Sequence, residues 1–218
     1  IDVFEAIKDT YQLKYILAIN NDYICPMYPG DTTRYVYTGA VGKVLPAFYI
    51  QGVETHVGQC FNGFDASMIA AEIIDKIHLN TDLCDEYNGE YTLPPTVLKS
   101  KDLKAQYNVQ TAHAAYVYFN YFTHQRSTDE IMREMVTLAD EALKSAEDKI
   151  NARYKKYCEI TYQTYEPKTY IKEVITYAQL YKLVKESYKG DLQKLLDEKT
   201  EELKGLGTDS REIGRAHV

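Results

Sequence analysis

The chain has 218 residues, of which 45% are hydrophobic and 26% charged, and its formal net charge is −7. That balance is ordinary for a globular protein and excludes wholesale disorder, a collagen-like fibre and a coiled-coil rod. An acidic chain is not expected on nucleic acid, which needs a concentrated basic face, and no apolar run reaches the roughly 20 residues of a membrane helix. Tyr is abundant (21 residues) and Trp absent, and Tyr suits half-buried sheet positions. The cysteines Cys25, Cys60, Cys84 and Cys158 form no C-x-x-C pair. They are expected to be reduced thiols of a cytoplasmic protein rather than a zinc knuckle or a disulfide set.

In chain order, Asp2 to Thr10 reads as a short helix, followed by an apolar strand, Tyr15 to Ile19, that ends at Asn20-Asn21-Asp22. A loop from Cys25 to Asp31 precedes a short β-prone run, Arg34 to Tyr37. Lys43 to Gln51 is rich in β-formers and is expected to be a strand. Asp65 is a good N-cap, and Ala66, Ile69, Ile73 and Ile77 recur at helical spacing. Glu90 to Lys99 is extended; Pro94-Pro95 removes two ladder donors, which predicts an edge strand or a bulge. His113 to Phe122 is the strongest strand, with Ala115, Val117, Phe119 and Tyr121 on one face. Ser127-Thr128-Asp129-Glu130 is a capping box opening a helix whose stripe is Ile131, Met135, Leu138 and Ala142. Tyr157 to Tyr165 alternates again and reads as a strand. Helices are expected over Val174 to Tyr188 and Asp191 to Lys204, then a polar tail from Gly205.

The order over 43–165 is therefore β-α-β-β-α-β. An α+β fold satisfies it, with two helices covering one face of a four-stranded antiparallel sheet.

The segment Gly52-Val53-Glu54-Thr55-His56-Val57-Gly58, followed by Gly63-Phe64-Asp65-Ala66, places a His in the loop after a strand and a second Gly before a helix N-cap. It resembles the lid signature of the two-zinc exopeptidases and deacylases, the family of acetylornithine deacetylase, succinyl-diaminopimelate desuccinylase and carboxypeptidase G. That signature is G-x-x-x-H, a variable loop, then G-x-N-A; here Asp65 stands for the Asn. Tyr107-Asn108-Val109-Gln110-Thr111 is similar to the family's Asn-Val-x-Pro entry to the third lid strand, with Thr for Pro. Ile19-Asn20-Asn21-Asp22 stands where the last catalytic-domain strand ends in an acidic metal ligand. The run Asp102-Leu103-Lys104 to Asn108 and Phe119-Asn120-Tyr121 looks most like the arginine-utilisation proteins.

The resemblance implies that 1–42 ends an α/β catalytic domain, 43–165 is a lid and dimerisation domain, and 166–218 is a helical return segment and tail. It implies that His56 reaches across a dimer and donates to the substrate carbonyl oxygen, that Asn108 binds substrate, and that Asp22 binds zinc, with Asp31 as the alternative ligand. The plain alternatives are an exposed loop His, a turn Asn and a polar strand end. The family's substrate-clamping Arg is replaced by Tyr121, and Arg126 would have to fold back to substitute for it.

The family's H-x-D is absent, and the sole Glu-Glu pair, Glu201-Glu202, lies in a charged helical stretch. A general base and enough ligands for two zinc ions are therefore missing, and the chain should be inactive alone. It is expected to be the lid of a longer zinc-dependent amidohydrolase or exopeptidase acting on a small amide or acyl-amino-acid. A homodimer through the lid sheet edge, no nucleic acid and no membrane complete that expectation. The rival is a non-enzymatic split βαβ module that dimerises or senses a small ligand. A phosphate cradle at Gly39 to Gly42 is not expected, since those residues precede a strand, and no G-x-S-x-G elbow exists.

Overall fold

The structure is a computed structural model that describes residues 2–16, 26, 28–37 and 39–207. The chain divides into two compact units, 1–40 and 41–218. In the first, helix α1 (Asp2–Tyr11) leads to a turn where Tyr15 donates from its hydroxyl to the Phe4 carbonyl (3.0 Å). The strand expected at Tyr15 to Ile19 lies mostly outside the described residues; Tyr15 and Ile16 themselves are irregular. Arg34 to Tyr37 has no ladder partner among the described residues and is not a strand.

The second unit is α+β. Its four-stranded antiparallel sheet is built on β6 (Ala114–Thr123). Two short strands, β1 (Gly42–Val44) and β2 (Ala47–Gln51), pair with successive stretches of one β6 edge. The expected strand over 43–51 is thus interrupted at Leu45-Pro46, where Pro has no ladder donor. The other edge of β6 holds β5 (Thr96–Asp102), with a register shift between Val97 and Lys99. An edge position and an irregularity both follow the Pro94-Pro95 entry. A small hairpin, β3 (Glu86–Tyr87) and β4 (Glu90–Tyr91), precedes it.

Helices α2 (Ala66–Ile77) and α3 (Thr128–Thr161) cover one face of the sheet. Asp65 caps α2 by accepting from the Ser67 amide (2.8 Å). Burying each of Ile69, Ile73 and Ile77 is worth roughly 1.5–3 kcal/mol, more than the few tenths that β-branched residues lose in a helix. They meet Val117, Phe119 and Tyr121 of β6, which are fully buried. Glu72 of α2 is nearly buried and pairs with Lys149 of α3 (2.7 Å), with Ser145 donating to the same carboxylate.

The strand expected over Tyr157 to Tyr165 is not formed. Helix α3 runs through these positions to Thr161 and stops at Tyr162, whose φ of 56° is left-handed. The reason is packing: Ile150 and Cys158 continue the buried stripe of Ile131, Met135, Ala139, Ala142 and Ala146 at helical spacing. Beyond it come an extended return segment and helices α4 (Tyr177–Ser187) and α5 (Leu192–Gly205), capped by Thr176 and Asp191. No helix of the described residues is long and apolar enough to cross a membrane.

Candidate functional site

The site is built where the β2–β6 ladder continues beyond its regular strands. Gly52 N–H donates to the His113 carbonyl (2.7 Å), Thr111 N–H to the Thr55 carbonyl (2.9 Å) and Val57 N–H to the Val109 carbonyl (2.9 Å). His56 is bridged to Gln110. On its other side the same segment pairs with the entry to α2, through reciprocal bonds between Val53 and Phe64 (2.9 and 2.8 Å). His56 and Asn108 therefore lie on neighbouring segments of one small sheet extension.

Two glycines of the motif are required by this close approach. A Cβ at Gly52 would meet the Phe64 carbonyl oxygen at 2.3 Å, and one at Gly63 the Val53 carbonyl oxygen at 2.5 Å. Both distances are shorter than any carbon–oxygen contact a side chain could accept, so backbone would have to move.

His56 is exposed and caps a 3₁₀ turn, Val57–Asn62. The Gly58 amide donates to its Nδ1 (3.0 Å). A ring nitrogen that accepts carries no proton, so the neutral imidazole holds its hydrogen on Nε2 as a donor. Asn108 is also exposed; its Oδ1 accepts from the Gln110 amide (3.2 Å). That leaves the Asn108 side-chain N–H groups as donors. Lys104 fastens this loop by donating to the carbonyls of Asn108 (3.3 Å) and Gln110 (2.7 Å). The Gln110 amide, oriented with its nitrogen toward Glu54, donates to both carboxylate oxygens (3.2 and 2.9 Å). An open cleft of about 600 Å³ is lined by Gly52, Glu54, Lys104, Asn108 and His113, among others.

Lys104 and Glu54 were not separable from other surface charges in the sequence. Their roles depend on a loop fold that carries no periodic signal, and only the turn-forming Asn108 hinted at it.

Asp22 lies outside the described residues. Asp31 accepts from the Thr33 amide (2.9 Å) and the Tyr35 hydroxyl (2.7 Å), within its own loop. Among the described residues no group of three or more His, Cys, Asp or Glu side chains converges to hold a metal ion.

Tyr121 is fully buried and points toward the helices, not the cleft. Its hydroxyl accepts from Arg126 Nη1 (2.5 Å) and donates to Glu134 (3.3 Å), while Arg126 Nη2 pairs with Glu134 (2.7 Å). Burial, reinforced by the Glu134 charge, pushes the Tyr121 hydroxyl well above its usual range. Arg126 is thus committed to a partly buried network with Tyr121 and Glu134 and does not substitute for a carboxylate clamp.

No protein-family model matches the chain. It is similar to Protein RocB of Bacillus subtilis (strain 168), 43% identical over 157 residues, covering 72% of this chain and 28% of that protein. It is also similar to an uncharacterized protein of the same organism, YqjN, 37% identical over 145 residues, covering 65% of this chain and 26% of that one. The chain spans little more than a quarter of the length of these curated relatives.

Proposed function

We propose that the chain is the lid and dimerisation portion of an arginine-utilisation protein that acts as a zinc-dependent amidohydrolase or exopeptidase. The homology to RocB supports the arginine-utilisation assignment. The observation that carries the chemical reading is the pairing of His56 with Gln110, which sets the His56 imidazole and the Asn108 amide on adjoining segments with N–H donors unspent.

Two such donors suit an oxygen that gains negative charge. In this reading His56 Nε2–H donates to the carbonyl oxygen of a small amide or acyl-amino-acid as it becomes tetrahedral, and Asn108 holds the substrate beside it. Residues 43–165 form the lid, preceded by the end of a catalytic domain and followed by the return segment of 166–218. Asp22 would serve the metal centre of its own subunit. The two zinc ions belong to the remainder of the parent, and the roles of His56 and Asn108 need none bound to this stretch. The open sheet edge would pair with that of a second copy in a cytoplasmic homodimer.

The test is hydrolysis of N-acetyl- and N-succinyl-amino acids by the full-length, zinc-loaded parent. Release of free amine that stops on chelation and returns with zinc is expected. Absence of hydrolysis, with ligand-induced thermal stabilisation of this chain in metal-free buffer, would instead establish a sensing module.

A further inference from the structure

The 3₁₀ turn that begins at His56 is gripped at its far end. The Phe61 ring packs against Tyr154 (centroids 4.9 Å apart) and Tyr157 (5.4 Å), both from the last turns of α3. The return segment closes over the same point: Tyr170 donates from its hydroxyl to the Phe61 carbonyl (3.4 Å), and its ring stacks on Phe64 (4.4 Å). Lys168 donates to Asn62 (3.3 Å) while its ammonium lies 5.0 Å from the Tyr154 ring centroid. Asn151 of α3 in turn fixes Lys168 through both its backbone amide (2.7 Å) and its carbonyl (2.8 Å). Of these α3 residues, Tyr157 opens the stretch expected to be a strand.

We infer that Phe61, clamped by Tyr154 and Tyr157 and latched by the 168–170 segment, is a positioning residue for His56. The stretch Val57–Asn62 is two short 3₁₀ pieces joined across a non-helical Gln59 (φ −132°, ψ 37°), and pieces this short do not hold their own shape because their hydrogen bonds are poorly aligned. Its first backbone bond runs from the Gln59 amide to the His56 carbonyl (2.8 Å), and beside it the Gly58 amide caps His56 Nδ1, which sets the imidazole tautomer. The aromatic pairs add to what area burial supplies and hold a turn of marginal stability. Anchoring residue 61 therefore keeps residue 58 beneath the imidazole and keeps the donor on Nε2. The consequence for turnover rests on the reading of His56 as a carbonyl donor; the clamp itself does not.

The experiment is ¹⁵N NMR of the histidine rings in this chain at alkaline pH, with His56 assigned by His56→Ala. The wild type is expected to show His56 as one tautomer protonated at Nε2. Phe61→Ala and Lys168→Ala should move His56 toward a mixture of tautomers, with core methyl resonances of Val117 and Ile73 unchanged. Phe61→Tyr should retain the single tautomer. An unchanged His56 spectrum in folded Phe61→Ala and Lys168→Ala would overturn the inference, as would a mixed tautomer in the wild type. If Phe61→Ala unfolds, Lys168→Ala decides. A tautomer shift alongside full turnover in a His56→Ala parent would uphold the clamp and sink the catalytic reading; the converse pair would do the reverse.

Discussion

Asp85 shows how far one side chain can be loaded. It is nearly buried, and its Oδ2 accepts from the amides of His124, Gln125 and Arg126 and from the Thr123 hydroxyl, all at 2.7–2.9 Å. Burial alone would raise its pKa, but these four donors outweigh burial and hold the carboxyl well below the usual range. The result is a fixed turn between β6 and the capping box of α3. A depressed folded-state pKa stabilises fully above the unfolded value of about 3.9, and the contribution fades as pH falls from there toward the folded value. Asp85→Asn should therefore cost about 2–4 kcal/mol at pH 7 in urea denaturation, and the gap from wild type should narrow below pH 4. A constant gap from pH 7 to pH 3 would contradict the assigned ionisation.

At the scale of elements, α3 explains both what the sequence disclosed and what it hid. The Ser127 box was legible because it requires a hydroxyl and a carboxylate three positions apart, and both bonds are made. The helix end was not legible. Its stripe passes through small Ala139, Ala142 and Ala146, which carry little apolar signal, whereas Tyr157 to Tyr165 alternates and is rich in β-formers. Tertiary packing of Ile150 and Cys158 overrode that local preference. The α2–α3 contact can be tested through Lys149. Removing its ammonium leaves Glu72, only 7% exposed, without its ion-pair partner. Lys149→Ala should destabilise by about 1–3 kcal/mol, and Glu72→Gln in that background should recover part of the loss, because the uncompensated charge is gone. Additive losses in a double-mutant cycle would show that the pair is not coupled.

For the molecule as a whole, the central strand, both covering helices and the His56 loop could be placed from pattern and motif. The cradle around the loop could not. Gly52 and Gly63 mark it in the sequence, yet the carbonyls they approach come from Phe64 and Val53, and pairing of that kind leaves no periodic trace. The fate of Tyr121 and Arg126 was equally hidden, since only the fold turns both toward Glu134. The second unit presents a four-stranded sheet with a donor-bearing extension at one end. On the proposed function, His56 acts on a charge that develops during reaction. The most direct measurement is steady-state kinetics of full-length wild type and His56→Ala on an N-acyl-amino acid that the parent hydrolyses. Loss of a carbonyl donor predicts a fall in kcat of about 10²–10³ with KM little changed. Retention of kcat, or a loss confined to KM, would contradict it.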